Sequence, residues 1–275
     1  MSLRPAPMAL TLAVALAVSG AALADEPVVA SNREVFLGAG GQHLQYTEYL
    51  QHQFADSDIG EQSAATVGVA WQGRALSLSN VYALAQFSYA RGKTAYDGFL
   101  QNLTTGAVTP WQSSTDDETT DWQLRLGKGF EDAQHTGMLT PFVALGRHRW
   151  VRDSSQTDVP YGYLEVYHHD TVEAGVLAQG ALAGRLVGTL ELEAGSTFGA
   201  HVSAPALGFS AALGAERVLG FAVGLDYAFT RNLHARLDYR DVNFRYRQSQ
   251  ANNGFLEPDS ATIQGTAFLS LALGF

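Results

Sequence analysis

Several acidic and histidine residues lie close enough together in the sequence to suggest catalysis. His168, His169 and Asp170 are consecutive, and Asp116 and Asp117 form an earlier pair. A pair of carboxylates combined with a His-Asp couple could activate a water molecule for hydrolysis. These five residues are therefore the first candidates for an enzymatic site.

The two groups resemble the acidic and His-Asp pairs near the outer rim of omptin proteases, which are ten-stranded barrels. Here the order of His and Asp differs, and no wider omptin motif surrounds the pairs. Val172 and Val176 place the even positions of this segment on its outward face. His168 and Asp170 would then point outward and only His169 inward. We therefore expect solvated loop residues rather than a protease site.

A second enzymatic alternative is lipid A modification, which small barrel enzymes perform with a His and a Ser on neighbouring positions. His234-Ala235-Arg236 supplies a His, but no Ser follows at the required place. The remaining histidines considered are scattered singly, without a metal-ligand spacing such as HExxH: His43, His52, His135, His148 and His201. The chain has no cysteine, which excludes thiolate metal sites and thiol catalysis. We predict no catalytic residue, no metal site and no cofactor.

A third group of charged residues recurs at alternate positions of segments that resemble β-strands, beside Gly, Gln and Thr. This predicted lumen network comprises Arg125, Arg147, Arg149, Glu173, Glu191, Glu193, Arg236, Asp238 and Arg240. Buried charges must be paired to be tolerated, so the leading interpretation is a set of salt bridges that fills a barrel. The alternative is a narrow ion-conducting pore whose wall charges set selectivity.

The elements that would position these residues are amphipathic β-strands. Alternation of apolar and polar side chains, with a period of two, predicts strands at 35–49, 64–71, 81–89, 122–130, 141–151, 163–178, 186–193, 209–229, 233–240 and 263–275. This count gives an all-β, antiparallel, up-and-down transmembrane barrel of about ten strands, with eight or twelve as alternatives. A soluble β-sandwich or lipocalin-like barrel would also alternate, but such a fold puts its apolar face inward. Here the other face carries these charged residues together with Gly, Gln and Thr, a composition suited to a hydrated or ion-paired lumen, so the membrane barrel is favoured.

The predicted connections alternate between long and short, as they do in such barrels. Long polar segments at 50–62, 97–118, 152–162, 198–207 and 250–260 are assigned to the outside, and short ones at 73–79, 131–137, 180–184 and 230–232 to the other side. Outer segments would expose acidic residues to the surroundings: Asp56, Asp58, Glu61, Asp116, Asp117, Glu118 and Asp158.

The N-terminus has the pattern of a secretory signal peptide. Arg4 precedes the apolar run MALTLAVALAVSGA, and Ala22-Leu23-Ala24 supplies the small residues that a signal peptidase recognises. We expect cleavage before Asp25, which assigns 1–24 to the signal peptide and 25–275 to the barrel with its long extracellular loops. The formal net charge of −10 argues against a nucleic-acid partner.

The C-terminal strand carries the clearest single pattern. Leu269, Leu271, Leu273 and Phe275 lie on one apolar face, with small or polar residues on the other. This strand resembles the terminal signal by which the assembly machinery recognises bacterial outer-membrane proteins. Together with TPFVALGRHRW at 140–150, it resembles the small outer-membrane barrels grouped with opacity-type and OmpA-like porins.

That resemblance implies an integral barrel in the outer membrane of a Gram-negative bacterium, in contact with outer-membrane lipid and lipopolysaccharide. The leading hypothesis is a non-enzymatic structural or adhesin-like surface protein whose lumen is largely filled and whose loops bind an extracellular ligand. A narrow porin is the alternative, and a rim protease or a lipid A-modifying enzyme is a third.

Overall fold

The computed structural model describes residues 27–101, 105–155 and 162–275, so the expected signal peptide at 1–24 lies outside the described residues. The described chain is almost entirely β-strand. Its twelve strands are β1 (Glu34–Leu50), β2 (Gln53–Ala75), β3 (Leu78–Gln101), β4 (Val108–Lys128), β5 (Phe130–Glu131), β6 (Gly137–Asp153), β7 (Leu164–Ala183), β8 (Leu186–Ala204), β9 (Phe209–Ala212), β10 (Arg217–Ala228), β11 (Leu233–Tyr246) and β12 (Asp259–Gly274).

Two short helices accompany the strands: α1 (Pro27–Ala30) and a single 3₁₀ turn at Pro205–Leu207. No helix in the described part of the chain is long and apolar enough to cross a membrane. Ten long strands form a closed antiparallel barrel, because each pairs with its neighbour and β1 pairs with β12 along its whole length. Strands β5 and β9 are short additions that pair with β6 and β8. The prediction of a ten-stranded up-and-down barrel is confirmed.

An apolar belt surrounds the barrel. All ten long strands place exposed apolar side chains on their outward faces, whereas soluble barrels bury their apolar residues. The belt includes Leu37, Val67, Phe87, Leu124, Leu145, Val172, Leu192, Leu225, Leu237 and Leu271. Leu269, Leu273 and Phe275 are exposed on the same surface, so the apolar face of the terminal strand is part of the belt.

The two ends of the barrel differ in how the strands are joined. At the turn end, short turns at 76–77, 184–185 and 229–232 join the strands, and both ends of the described chain lie there. The loop end carries the connections at 102–107, 154–163 and 247–258. At the same end, however, β1 and β2 meet in a tight turn at Gln51 and His52, both of which have positive φ.

The predicted long loop at 50–62 is therefore wrong, and much of 97–118 and 198–207 is also strand. Strands β2 and β3 contain 23 and 24 residues, whereas about 9 to 11 residues cross a bilayer. Their outer halves extend beyond the apolar belt as a hydrogen-bonded wall. Polar residues occupy both faces of these outer halves, so the sequence there shows no alternation from which a strand could be predicted.

The predicted single strand at 209–229 is also wrong, because β9 and β10 are separate. Phe209 and Ala211 point inward on β9, whereas Phe221 and Val223 point outward on β10. The odd positions change sides between the two strands. The sequence does not show this reversal, because both the barrel interior at the loop end and the lipid accept apolar residues. The alternation of apolar and polar residues therefore continues unchanged from one strand to the other.

Candidate functional site: a layered, charged lumen

A central ion-pair layer crosses the lumen at the level of the apolar belt. The Arg125 guanidinium donates to both carboxylate oxygens of Glu191, one of them at 2.6 Å, and approaches Glu193 at 3.5 Å. Arg240 on the opposite wall donates to Glu193 and to the side-chain oxygen of Gln123, the latter at 3.0 Å. Two guanidinium groups thus face two carboxylates, and their hydrogen bonds fix all four side chains across the lumen.

Two further predicted members of the network lie nearer the turn end. Arg236 donates to Glu34 at 2.7 Å and to Asp238 at 3.2 Å. Beside them, Nδ1 of His234 lies 2.8 Å from an Asp226 oxygen and 3.5 Å from a Glu34 oxygen. The sequence did not indicate the partners of His234, because strand pairing, and not sequence spacing, brings Glu34 and Asp226 close to it.

Glu173 also points inward, where its carboxylate accepts a hydrogen bond from Thr171 at 2.7 Å. Its second oxygen is buried and has no hydrogen-bond partner among the described residues. Seven of the nine predicted network residues therefore lie on the lumen side. The remaining two, Arg147 and Arg149, do not.

Arg147 and Arg149 point outward, and their assignment to the lumen is wrong. Their side chains are about half exposed, at 49% and 46%. They share a face of β6 with Val143 and Leu145. Because alternate residues of a strand lie on the same face, the positions of these two apolar residues in the sequence already indicate that the arginines point outward. Both arginines lie just beyond the apolar belt, where Arg147 pairs with Asp170 at 3.8 Å and Arg149 with Glu118 at 3.6 Å.

An aromatic layer fills the lumen on the loop side of the central ion pairs. The Trp150 ring lies 4.7 Å from the ring of Tyr46 and stacks on Tyr167 at 4.9 Å. Tyr246 stacks on Tyr167 in turn, and Phe244 packs against Tyr246. The layer is continuous with the buried cluster formed by Leu44, Val202 and Phe209, so the side chains of the described residues leave no wide channel through it.

Above the aromatic layer lies an outer carboxylate cluster centred on Arg152. The guanidinium donates to Asp58 at 2.6 Å and to Glu165 at 2.9 Å, and it lies within 3.6 Å of Asp56 and Glu48. Asp56 and Asp58 were expected on exposed loops. They instead point into the barrel, because the segment that carries them continues β2.

Glu257 completes this cluster from the loop at 247–258. Its carboxylate accepts hydrogen bonds at 2.9 Å from the hydroxyls of both Tyr46 and Tyr167. Burial, and next the negative charge of Glu165, raise the pKa of Glu257 to about 8, although the two tyrosine hydroxyls oppose this rise. A pocket of about 100 Å³ lies between this carboxylate and Arg152.

The structure separates the residues considered for catalysis. Asp117 is buried and accepts a hydrogen bond from the Trp150 indole at 2.7 Å, while burial raises its pKa to about 7. His169 is buried and bonds the Tyr246 hydroxyl at 2.7 Å. His168 faces outward, as predicted, and stacks on His201. Asp116, Glu118 and Glu61 lie on the outer wall, and Asp158 lies outside the described residues.

The structure contains a serine-histidine contact that the sequence did not indicate. The Ser210 hydroxyl lies 3.1 Å from Nε2 of His201 on the outer wall. Among the described residues, none forms a hydrogen bond with Nδ1 of His201, so the pair lacks the carboxylate that orients the base in a hydrolytic triad.

The N-terminal segment closes the turn end. Val28 and Val29 of α1 are buried against Met138 and Val187. The Asn32 amide donates to the side chains of Gln72 and Gln179 at 2.8 and 2.6 Å, which joins this segment to two walls of the barrel. Between this seal and the aromatic layer lies a cavity of about 190 Å³.

These features are those of an integral outer-membrane β-barrel: a closed sheet, an apolar outer belt and a polar lumen. In such barrels short turns face the periplasm and longer loops face outward, so the turn end is periplasmic and the loop end extracellular.

Comparison with one solved structure supports the fold. The chain is similar to the outer membrane protease OmpT from Escherichia coli, with a TM-score of 0.51, 10% sequence identity, and coverage of 89% of this chain and 98% of that chain. It is also matched, at lower TM-scores, to Neisserial surface protein A (0.35, 11% identity, 88% and 97% covered) and to the translocator domain of the autotransporter NalP from Neisseria meningitidis (0.43, 14% identity, 88% and 88% covered). No protein-family model and no curated protein sequence matches the chain.

Proposed function

We propose that this protein is a non-enzymatic, non-conducting surface barrel of a Gram-negative outer membrane. The observation that carries the proposal is the lumen, which side chains cross at successive levels from the periplasmic seal to the outer carboxylate cluster. Each level is held by hydrogen bonds or ring contacts between strands that are not neighbours in the sheet. Such a lumen supports a rigid scaffold for the extracellular wall.

The central ion-pair layer opposes conduction for an energetic reason. An ion in transit would have to displace Arg125 from Glu191, and separating a buried pair leaves both charges uncompensated. The side chains of Arg125 and Glu191 are 4% and 6% exposed, so bulk water does not compensate either charge once the pair is separated.

The extracellular wall supports a role in surface contact. Beyond the apolar belt, charged side chains point outward from several strands, including the half-exposed Arg147 and Arg149. Guanidinium groups at this height suit the phosphate groups of lipopolysaccharide, which we propose as the lipid partner. We propose the pocket at Glu257 as the site for an extracellular ligand. The exposed C-terminal strand that ends at Phe275 is the segment that we propose contacts the assembly machinery.

Planar-bilayer recording tests the closed lumen. Protein purified from outer membranes should add no reproducible single-channel steps to a lipid bilayer. Steps that change in size or ion selectivity with Glu191→Gln, but not with the outward Arg147→Gln, would overturn the proposal in favour of a narrow porin. The Arg147 variant is a matched control because it also removes one charge from the same barrel.

A broad panel of peptides, proteins and lipid A species tests the absence of enzymatic activity. We expect no hydrolysis by the purified protein. Turnover that is lost on replacing His169 and Asp117, or Ser210, would contradict the proposal and assign an enzymatic site to those residues.

A further inference from the structure

Glu34, Asp226 and His234 form a compact cluster on the lumen side near the periplasmic end. Glu34 begins β1, Asp226 lies near the end of β10, and His234 is the second residue of β11. One ligand atom from each residue lies within 4.8 Å of those from the other two. All three side chains are buried, and the residues are 0%, 7% and 1% exposed.

From this cluster we infer a binding site for a divalent transition-metal ion, formed by two carboxylates and one imidazole. Zinc, cobalt, nickel and manganese accept this mixture of nitrogen and oxygen ligands. The site would join β1 to β10 and β11 across β12, and so link the first strand of the barrel to the final hairpin.

Unpartnered atoms within the cluster are the first argument for a ligand. One oxygen of Glu34 and one of Asp226, Oε2 and Oδ2, are buried and have no hydrogen-bond partner among the described residues. Buried carboxylate oxygens are normally hydrogen-bonded or bound to a cation. The unpartnered Glu34 oxygen is the one that approaches His234, at 3.5 Å, so it lies within the cluster.

The balance of charge is the second argument. Three carboxylates meet here, on Glu34, Asp226 and Asp238, and the guanidinium that contacts two of them is that of Arg236. With all three carboxylates ionised and a neutral imidazole, the group carries an excess of two negative charges. A proton on His234 would offset only one of them, whereas a divalent ion would offset both and leave the imidazole nitrogen as a ligand.

Access to the cluster comes from the central cavity. Asp226, Arg236 and Asp238 line the cavity of about 190 Å³, which provides room for water molecules. Three protein ligands leave at least one coordination position for such a water. A metal ion could therefore complete its shell without displacing a strand.

Metal titration of the intact barrel tests the inference. Protein without a polyhistidine tag would be purified from outer membranes in detergent, treated with a chelator, and titrated with Co²⁺ and then Zn²⁺. We expect one equivalent of Co²⁺ to bind with a visible absorption band, Zn²⁺ to displace it, and the thermal unfolding midpoint to rise with Zn²⁺. Failure of the wild-type protein to bind either ion would overturn the inference.

Substitutions locate the site. Glu34→Gln and His234→Gln should each weaken Co²⁺ binding by about 10-fold or more, because each removes a ligand. His148→Gln is the matched control, since His148 also pairs with a carboxylate inside the barrel, at 2.6 Å from Asp121, but lies outside the cluster. Equal loss in the control, or unchanged binding in the ligand variants, would refute the site.

Heat-modifiable migration on gels would check that each variant is folded. Should Glu34→Gln fail to fold because Arg236 loses its partner, Asp226→Asn preserves shape and removes the second carboxylate. Binding that persists in folded Asp226→Asn at wild-type strength would count against the site, and its loss would support it.

Discussion

Arg125 on β4 holds Glu191 on β8 through both carboxylate oxygens, although two other strands, β6 and β7, separate β4 from β8 in the sheet. This contact spans the lumen and fixes the distance between β4 and β8. Backbone hydrogen bonds connect these two strands only indirectly, through the strands that lie between them in the sheet. Arg240 extends the link to β11 through Glu193. The barrel is thus braced internally by charge as well as closed by hydrogen bonds.

Removing one partner of this brace should destabilise the barrel strongly. Arg125→Met would leave Glu191 buried without its bidentate donor, at a cost of about 3 to 5 kcal/mol in the free energy of unfolding. Urea unfolding in lipid vesicles measures this cost. The double variant Arg125→Met, Glu191→Met leaves no unpaired charge. Its loss in the free energy of unfolding should therefore be smaller than the sum of the losses in the two single variants.

Arg147→Met is the control for the brace, since its guanidinium points outward. Its free energy of unfolding should change by no more than about 0.5 kcal/mol. A loss as large as that of Arg125→Met would show that the lumen contacts do not decide the stability of the barrel.

Arg147 also shows how far the sequence predicts this molecule. Alternation predicted the ten strands wherever one face meets lipid, because lipid demands apolar residues at every second position. On β6 the same rule, counted from Val143 and Leu145, places Arg147 outside. The prediction instead assigned the charged residues to the lumen as one group, and so it placed Arg147 on the wrong face of β6.

Asp58 and Glu257 illustrate what the sequence could not predict. The outer halves of the strands lie beyond the lipid, so their outward residues need not be apolar and the alternation disappears. Asp58 therefore resembled a loop residue, although it bonds Arg152 inside the barrel. Glu257 meets Tyr46 and Tyr167 only through closure of the barrel, which brings distant segments together without any local signal.

Glu257 should make stability depend on pH. Its pKa of about 8 lies above the ordinary 4.5, so the folded protein binds a proton that the unfolded chain releases. The stabilisation is complete below about pH 4.5 and is lost as the pH rises through about 8. The free energy of unfolding, measured in urea at a series of pH values, should fall over this range.

Glu257→Gln should flatten that decline, because the amide cannot titrate. Glu61→Gln provides a control on the outer wall, where the carboxylate side chain is 77% exposed, and it should leave the pH dependence unchanged. An unaltered slope in Glu257→Gln would assign the effect to other groups, such as Asp117.

Arg147 and Arg149 should mediate binding to lipopolysaccharide. In vesicles that contain lipopolysaccharide, the double variant Arg147→Gln, Arg149→Gln should lose most of the stabilisation that this lipid gives the wild type. The effect should weaken with added salt, since exposed charges are screened. The control Arg74→Gln removes an exposed charge at the turn end and should be stabilised by lipopolysaccharide as much as the wild type. An equal loss of this stabilisation in Arg74→Gln would show that Arg147 and Arg149 have no specific role.

Leu269 tests whether the apolar belt lies in lipid. Its side chain is 55% exposed on the outward face of β12, between the exposed Leu271 and the outer boundary of the belt. Arginine at this position would be forced into hydrocarbon, so Leu269→Arg should lower the free energy of unfolding from lipid vesicles by about 2 to 4 kcal/mol. Leu76→Arg is the matched control, because Leu76 is 98% exposed in a turn-end hairpin and should cost about 1 kcal/mol or less. Equal costs at the two positions would mean that the belt does not face the membrane interior.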